Sequence, residues 1–252
     1  MTIAIALKVG DGVVLGADSA ATLSGDGGVA NVYFNAEKLT NLVKGLPLGM
    51  VTYGLGGLDG RSVTSLSRDL RELLSGTNPE WHLDPSIYTM QWVAERVRQF
   101  FYEDHYANEY PQKGKDAQGN PFDKAVSGKA VWAGVPEALD RLFGGWSSQV
   151  YRGMLSAGLP AKDVEQFLNS LPMEPLISSA MPLQDAIDLV KYMVDVTVGF
   201  VRFIPGPPTV AEPVDIAAIT KHEGFRWVRR KHYYSIGLNP ARSSGTSPDP
   251  GH

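Results

Sequence analysis

Gly10-Asp11-Gly12, set between the apolar runs Thr2 to Val9 and Val13 to Ala17, commits the start of the chain to a β-hairpin. A turn closing there gives cross-strand partners whose residue numbers sum to about 21 to 23, which puts Asp18 opposite Ile3 to Ile5. A carboxylate is thereby predicted beside the start of the first strand. Removal of Met1 would leave Thr2 with both a hydroxyl and a free α-amine, and such an amine titrates at about 8, close to the ideal for a general base. A threonine hydroxyl is a weak nucleophile until a neighbouring base takes its proton, and its own amine can be that base. A Met-Thr start alone carries little information, so the neighbours of Thr2 have to supply the chemistry.

Composition narrows the alternatives. With 252 residues and 43% hydrophobic content the chain can bury a sizeable core, and 1-238 reads as one domain. From Asn239 the composition turns to Ser, Gly and Pro, so 239-252 is expected to be a disordered tail. A net charge of −4, from 23 basic and 27 acidic residues, provides no broad basic field for nucleic acid. The absence of cysteine excludes disulfides and thiolate metal sites. His82, His105, His222, His232 and His252 are scattered without metal-ligand spacing, so neither a metal nor a cofactor is expected. Lys8 and Asp11 interrupt the first apolar run, there is no basic segment ahead of it, and no stretch approaches ~18 apolar residues. The expectation is a cytoplasmic protein with no membrane partner.

Along the chain, Ser24 to Ala30 reads as a glycine-rich loop and Leu48 to Tyr53 as a strand. Lys38 lies between them. A cation near Thr2 would favour the neutral amine and the ionised hydroxyl, although taken alone this lysine reads far more readily as one of many surface lysines. Gly54-Leu55-Gly56-Gly57 joins a strand to a helix, where a dinucleotide loop would sit. The third glycine of that motif is replaced by Asp59, however, and no βαβ unit surrounds it. The same loop could let backbone amides approach a developing oxyanion, or could be a helix-packing turn.

Asp59 or Ser62 can cap a helix carrying Val63, Leu66, Leu70, Leu73 and Leu74 on one face and ended by Gly76. A second helix is predicted from Asp84 as N-cap and Pro85 at the first position, with Met90, Val93, Val97, Phe100 and Phe101 on a face. Residues 103 to 128 are polar and turn-rich, Ala130 to Gly134 is a short strand, Pro136 opens a helix, and 146 to 174 add helical material. A long helix from Pro182 to Phe200 is apolar on more than one face, which predicts burial between a sheet and a neighbour. Val214 to Thr220 and Phe225 to Val228 form a closing hairpin.

Thr2 to Lys8, Asp11 to Thr22, Asn35-Ala36-Glu37-Lys38-Leu39 and Val51-Thr52-Tyr53-Gly54-Leu55-Gly56-Gly57 together resemble a proteasome β-type subunit, an N-terminal-nucleophile hydrolase. The likeness covers residues 2 to 75 well and 129 to 228 loosely. It implies an α+β fold, a four-layer αββα sandwich of two mostly antiparallel sheets between helix layers. It also implies a threonine endopeptidase in which Thr2 attacks the peptide, Asp18 and Lys38 set its protonation, and the Gly54 amide stabilises the oxyanion. Peptide or unfolded-protein substrates, a homo-oligomeric ring or double ring, and an ATP-dependent unfoldase partner follow from the same resemblance.

Three departures accompany it. The second-sheet strand that the family begins with Gly-Gly is not found in 103 to 128, Ala133 stands where a serine usually precedes the glycine, and Phe200-Val201-Arg202-Phe203 replaces a segment with an Asp and a Ser. The first leaves the second sheet short or differently paired, and the other two keep open a catalytically inactive ring scaffold. A nucleotide-binding oxidoreductase resting on the Gly54 loop is a more distant alternative.

Overall fold

The computed structural model describes residues 2–25, 28–58, 60–107, 130–171 and 177–231. β1 (Ile3–Lys8) and β2 (Gly12–Ala17) form the hairpin with Ala4 opposite Ala17, and the Val9 amide donates to the Gly12 carbonyl at 2.9 Å to close the turn. Asp18 falls opposite Ile3, its amide donating to the Ile3 carbonyl at 3.3 Å, within the register read from the turn.

The segment Ser24 to Ala30, expected as a loop, instead contributes to a hairpin of β3 (Ala21–Gly25) and β4 (Gly28–Tyr33). Glycines weaken a strand but do not forbid main-chain pairing, and Thr22 and Val32 supply β-branched partners across it. β5 (Leu39–Asn41) and β6 (Gly49–Val51) pair with each other, the latter shorter than the predicted Leu48 to Tyr53. β7 (Gly57–Leu58) and β8 (Arg61–Ser62) make a two-residue ladder ahead of the first helix.

α1 (Val63–Ser75) runs between the caps read from sequence: the Ser62 hydroxyl accepts the Ser65 amide, and the Gly76 amide donates to the Leu73 carbonyl. α2 (Met90–Arg98) begins later than predicted, capped by the Thr89 hydroxyl. Asp84 spends its carboxylate on the Ser86 amide and hydroxyl, which closes a local turn rather than a helix. A π-helical stretch, Gln99–Tyr106, continues α2. The polar stretch beyond it, 108–129, lies outside the described residues, as does the tail 239-252.

β9 (Ala130–Gly134) is followed by α3 (Glu137–Gly144), α4 (Ser148–Ser156), α5 (Ala161–Ser170) and the long α6 (Leu183–Phe203). The chain closes with β10 (Asp215–Thr220) and β11 (Gly224–Arg229). The main sheet has the order β11-β10-β2-β1-β9 and every neighbouring pair is antiparallel.

The period of two along β1 sorts its side chains. Ile3, Ile5 and Leu7 point to one face, where Ala186, Val190, Met193, Val194 and Val201 of α6 cover them. Helix and sheet approach closely at Gly16, where a Cβ would stand 2.5 Å from Val190 Cγ1. On the opposite face Leu15, Leu39 and Ala217 form a thin layer against β5 and β6. Beyond it Leu42, Val43 and Leu48 pack with Leu66, Leu70 and Leu74 of α1, Val93 of α2, and Phe100. The fold is α+β. Among the described residues the second sheet is only the β5–β6 pair, and α6 buries one face while Tyr192 and Phe203 on the other are exposed. The expected burial between a sheet and a neighbour is met by β1 and β2 on one side and by α3, whose Leu139 joins the same buried cluster, while Tyr192 and Phe203 stay exposed.

Gly134 fixes where β1 begins. It lies opposite Ile3 with φ +107°, a Cβ there would fall 1.8 Å from the Thr2 carbonyl oxygen, and the next amide, Val135, donates to that oxygen at 2.7 Å. Gly134→Ala combines a backbone clash with a left-handed conformation. It is expected to cost about 3 kcal/mol or more and to displace Thr2; a urea titration showing less than about 1 kcal/mol would contradict this close approach.

Candidate active site

Asp18 follows β2 directly and turns its carboxylate back across the end of β1. Oδ1 accepts the Ile3 amide at 3.0 Å and Lys38 Nζ at 2.7 Å, while Oδ2 accepts the Ala20 amide at 2.9 Å and the Ala211 amide at 3.3 Å. The residue is 0% exposed. A buried carboxylate needs each of these donors, because a charge taken out of water is tolerated only when paired and hydrogen-bonded.

Lys38 arrives from the opposite side, one residue ahead of β5. Its carbonyl accepts the Thr52 amide at 2.8 Å and the Thr52 hydroxyl at 3.3 Å, which anchors it to the end of β6. It is 8% exposed. Burial lowers its pKa below the ordinary 10.5, the attraction and hydrogen bond of Asp18 oppose that shift, and a second cation, Lys231, adds to it.

Thr2 is 4% exposed and is bonded through its carbonyl to the Val135 amide. The peptide that joins it to Ile3 carries the amide that Asp18 accepts. Thr2, Asp18 and Lys38, chosen from sequence, thus lie together at one end of the main sheet. Gly54 does not join them by a hydrogen bond among the described residues. It sits two residues past Thr52 in an exposed turn with φ +94°, a conformation that favours glycine.

A second buried ion pair lies behind the first, and sequence reading did not find it. Lys231 Nζ donates to the Ser19 hydroxyl at 2.6 Å, to the Ala36 carbonyl at 2.8 Å and to the Asp215 carboxylate, while its amide donates to Asp215 Oδ1 at 2.9 Å. A signal existed: Asp215 is an acid at the start of the otherwise apolar strand Asp215–Thr220, and the closing hairpin brings it level with the basic run Arg229-Arg230-Lys231. On the outer side of Lys38, Glu37 takes an ion pair from Arg68 at 3.0 Å and another from Arg230 at 3.5 Å.

Chemically, this end of the sheet holds a hydroxyl, a desolvated ammonium and a carboxylate with no water-facing surface. A cation held there would lower the pKa of an amine beside it and stabilise a developing alkoxide. Among the described residues no cluster of His, Asp and Glu is arranged to hold a metal ion, and no helix is long and apolar enough to cross a membrane.

No protein-family model and no curated protein matches the chain. Solved structures do. A Gly-1 mutant of Anbu from Hyphomicrobium sp. strain MC1 superposes with a TM-score of 0.52 at 16% identity, over 92% of this chain and 86% of that one. Anbu (ancestral beta-subunit) from Yersinia bercovieri matches with a TM-score of 0.48 at 14% identity, over 91% and 88%. The proteasome β-type assignment read from sequence is corrected accordingly. The residues quoted for that assignment, 2 to 57, supply the strand pair, the acid, the lysine and the glycine turn of the frame. The fold is that of the Hyphomicrobium Anbu mutant, whose family is proteasome-like but distinct from the proteasome β-type subunits.

Proposed function

We propose that the chain is a threonine peptidase of the N-terminal-nucleophile kind on an Anbu-like fold, with residues 1-238 as one four-layer αββα domain. Thr2, made N-terminal by removal of Met1, is the nucleophile. The observation that carries this reading is the convergence of the Ile3 amide and Lys38 Nζ on Asp18 Oδ1, 3.0 and 2.7 Å away. An ion pair serving the core alone has no need to bond the peptide that follows Thr2.

In the first step the α-amine of Thr2 accepts the proton of its own Oγ, and Oγ attacks the carbonyl carbon of the peptide bond. The Gly54 amide is proposed as the donor that meets the resulting oxyanion. Collapse expels the amine half of the peptide, which takes the proton from the ammonium of Thr2 and leaves an ester on Oγ. Water then attacks that ester, giving a proton to the same amine, which passes it to Oγ as the carboxylic acid half departs and the Thr2 hydroxyl is restored. Lys38 keeps the α-amine neutral by its charge, and Asp18 holds Lys38 in place.

Substrates of this reading are peptides or unfolded proteins. Assembly with copies of itself into a ring is part of the proposal and is supported by the exposed apolar side chains Leu23, Val29, Tyr33 and Phe34 on and beside the β3–β4 hairpin. An ATP-dependent unfoldase would be the partner that delivers folded substrates.

The pH dependence follows from two groups. Hydrolysis rises as the α-amine loses its proton, at or below about 8 because Lys38 is cationic beside it. It falls again as Lys38 loses its own proton, below the ordinary lysine value of 10.5 because burial destabilises the ammonium. Initial rates on a short peptide with a fluorogenic amide leaving group, taken across this range, are expected to trace a bell; absence of hydrolysis at every pH would contradict the reading.

That outcome would favour a second reading, an inactive proteasome-like scaffold. It has one observation of its own: β9 presents Ala133 and Gly134 to the start of β1, so this neighbouring strand offers Thr2 no hydroxyl.

A further inference from the structure

Lys231 enters the back of the candidate site just after β11, the last strand of the sheet. Its side chain is 6% exposed, and its ammonium donates to Ser19 Oγ at 2.6 Å, to the Ala36 carbonyl at 2.8 Å and to the Asp215 carboxylate. Those bonds use all the donors an ammonium has. Ser19 directly follows Asp18, and Ala36 stands two residues before Lys38. The Ala36 amide already donates to the Ser19 carbonyl at 3.0 Å. One side chain therefore ties together the two segments that carry the Asp18–Lys38 pair, and it does so from the far end of the sequence. The mechanism above gives Lys231 no part, yet burying a long cationic side chain is unfavourable unless its charge is paired and its donors are met.

Resting on the Thr2 reading, we infer that Lys231 is a positioning residue of that site: it pins the Asp18 and Lys38 segments to each other and holds a second buried cation behind Lys38. The charges around Lys38 define what this cation does. Asp18, after β2, attracts the Lys38 ammonium directly. Asp215, at the start of β10, is committed to Lys231. Glu37, the chain neighbour of Lys38, is turned to Arg68 and Arg230. The α-amine of a processed Thr2 would lie on the substrate side. Lys231 thus opposes the charge on Lys38, in the same direction as burial. The consequence is a lower pH at which Lys38 ceases to be a cation, and with it a lower alkaline limit of the reaction. Lys231, two residues past β11, then contributes to the chemistry through Asp18 and Lys38.

The test reads Lys38 directly, by titrating ¹³C-labelled lysine side chains in the full chain by NMR, with the Lys38 signal identified by its loss in Lys38→Arg. In Lys231→Met the Lys38 midpoint is expected to rise by about one pH unit, and in Lys231→Arg, which keeps the charge, to stay within about 0.3. Asp215→Asn carries the test if Lys231→Met does not fold: with the counter-charge gone, the midpoint is expected to fall instead. The alkaline limb of peptide hydrolysis should move with the midpoint in each variant, which a purely structural role would not produce. A Lys38 midpoint unmoved in a folded variant overturns the inference and leaves the Thr2 reading intact. Midpoints that shift in a chain hydrolysing no peptide overturn the Thr2 reading instead, and the linkage of Lys231 to Lys38 stands.

Discussion

Asp18→Ala is expected to lower the stability of the fold by about 3–5 kcal/mol and to abolish hydrolysis. The substitution removes the acceptor of the Ile3, Ala20 and Ala211 amides and of Lys38 Nζ in one step. The Ile3 and Ala20 amides and Lys38 Nζ have no water to turn to, since Asp18 is wholly buried and Lys38 nearly so. The largest part of the loss comes from Lys38, left as a buried cation without its partner. Adding Lys38→Met to Asp18→Ala should therefore recover about half of the lost stability, without restoring any hydrolysis. Urea unfolding of the single and double variants checks both statements. A single variant within about 1 kcal/mol of the parent would mean that the pair is wet and that the site is not the desolvated one described here.

Thr2→Ala separates chemistry from structure. Thr2 is bonded to Val135 through its carbonyl, which alanine retains. Stability is expected to stay within about 0.5–1 kcal/mol, while the hydrolysis rate falls by at least about 10³-fold because the nucleophile is gone. Thr2→Ser, which keeps both hydroxyl and amine, should retain a measurable fraction of the activity. Equal rates in the parent and in Thr2→Ala would remove Thr2 from the mechanism.

Much of the frame around Thr2 was legible because it is local. Gly10-Asp11-Gly12 fixes the turn, the turn fixes the register, and the register puts Asp18 opposite Ile3. α1 was equally plain, with Ser62 and Gly76 bracketing a leucine stripe. What was not legible depends on partners distant in sequence or on competing local bonds. Asp84 looked like a helix cap until Ser86 claimed its carboxylate. The β3–β4 hairpin is held by main-chain pairing across glycines, which leave little side-chain pattern to read. Lys231 lies 212 residues from Ser19, and no periodicity links a terminal basic run to a serine beside the first acid. Gly54 carries the conformation expected of a glycine turn, but its role as oxyanion donor depends on a substrate and stays part of the proposal. The proteasome β-type assignment rested on motifs in residues 2 to 57, the part of the chain that builds the frame around Thr2.

The central claim is that Thr2 is a free N-terminal nucleophile, and intact-mass spectrometry before and after exposure to a threonine-directed β-lactone tests it most directly. The account predicts a parent mass lacking Met1 that gains a single adduct, and no adduct on Thr2→Ala. A chain that retains Met1, or that gains no adduct, would contradict it.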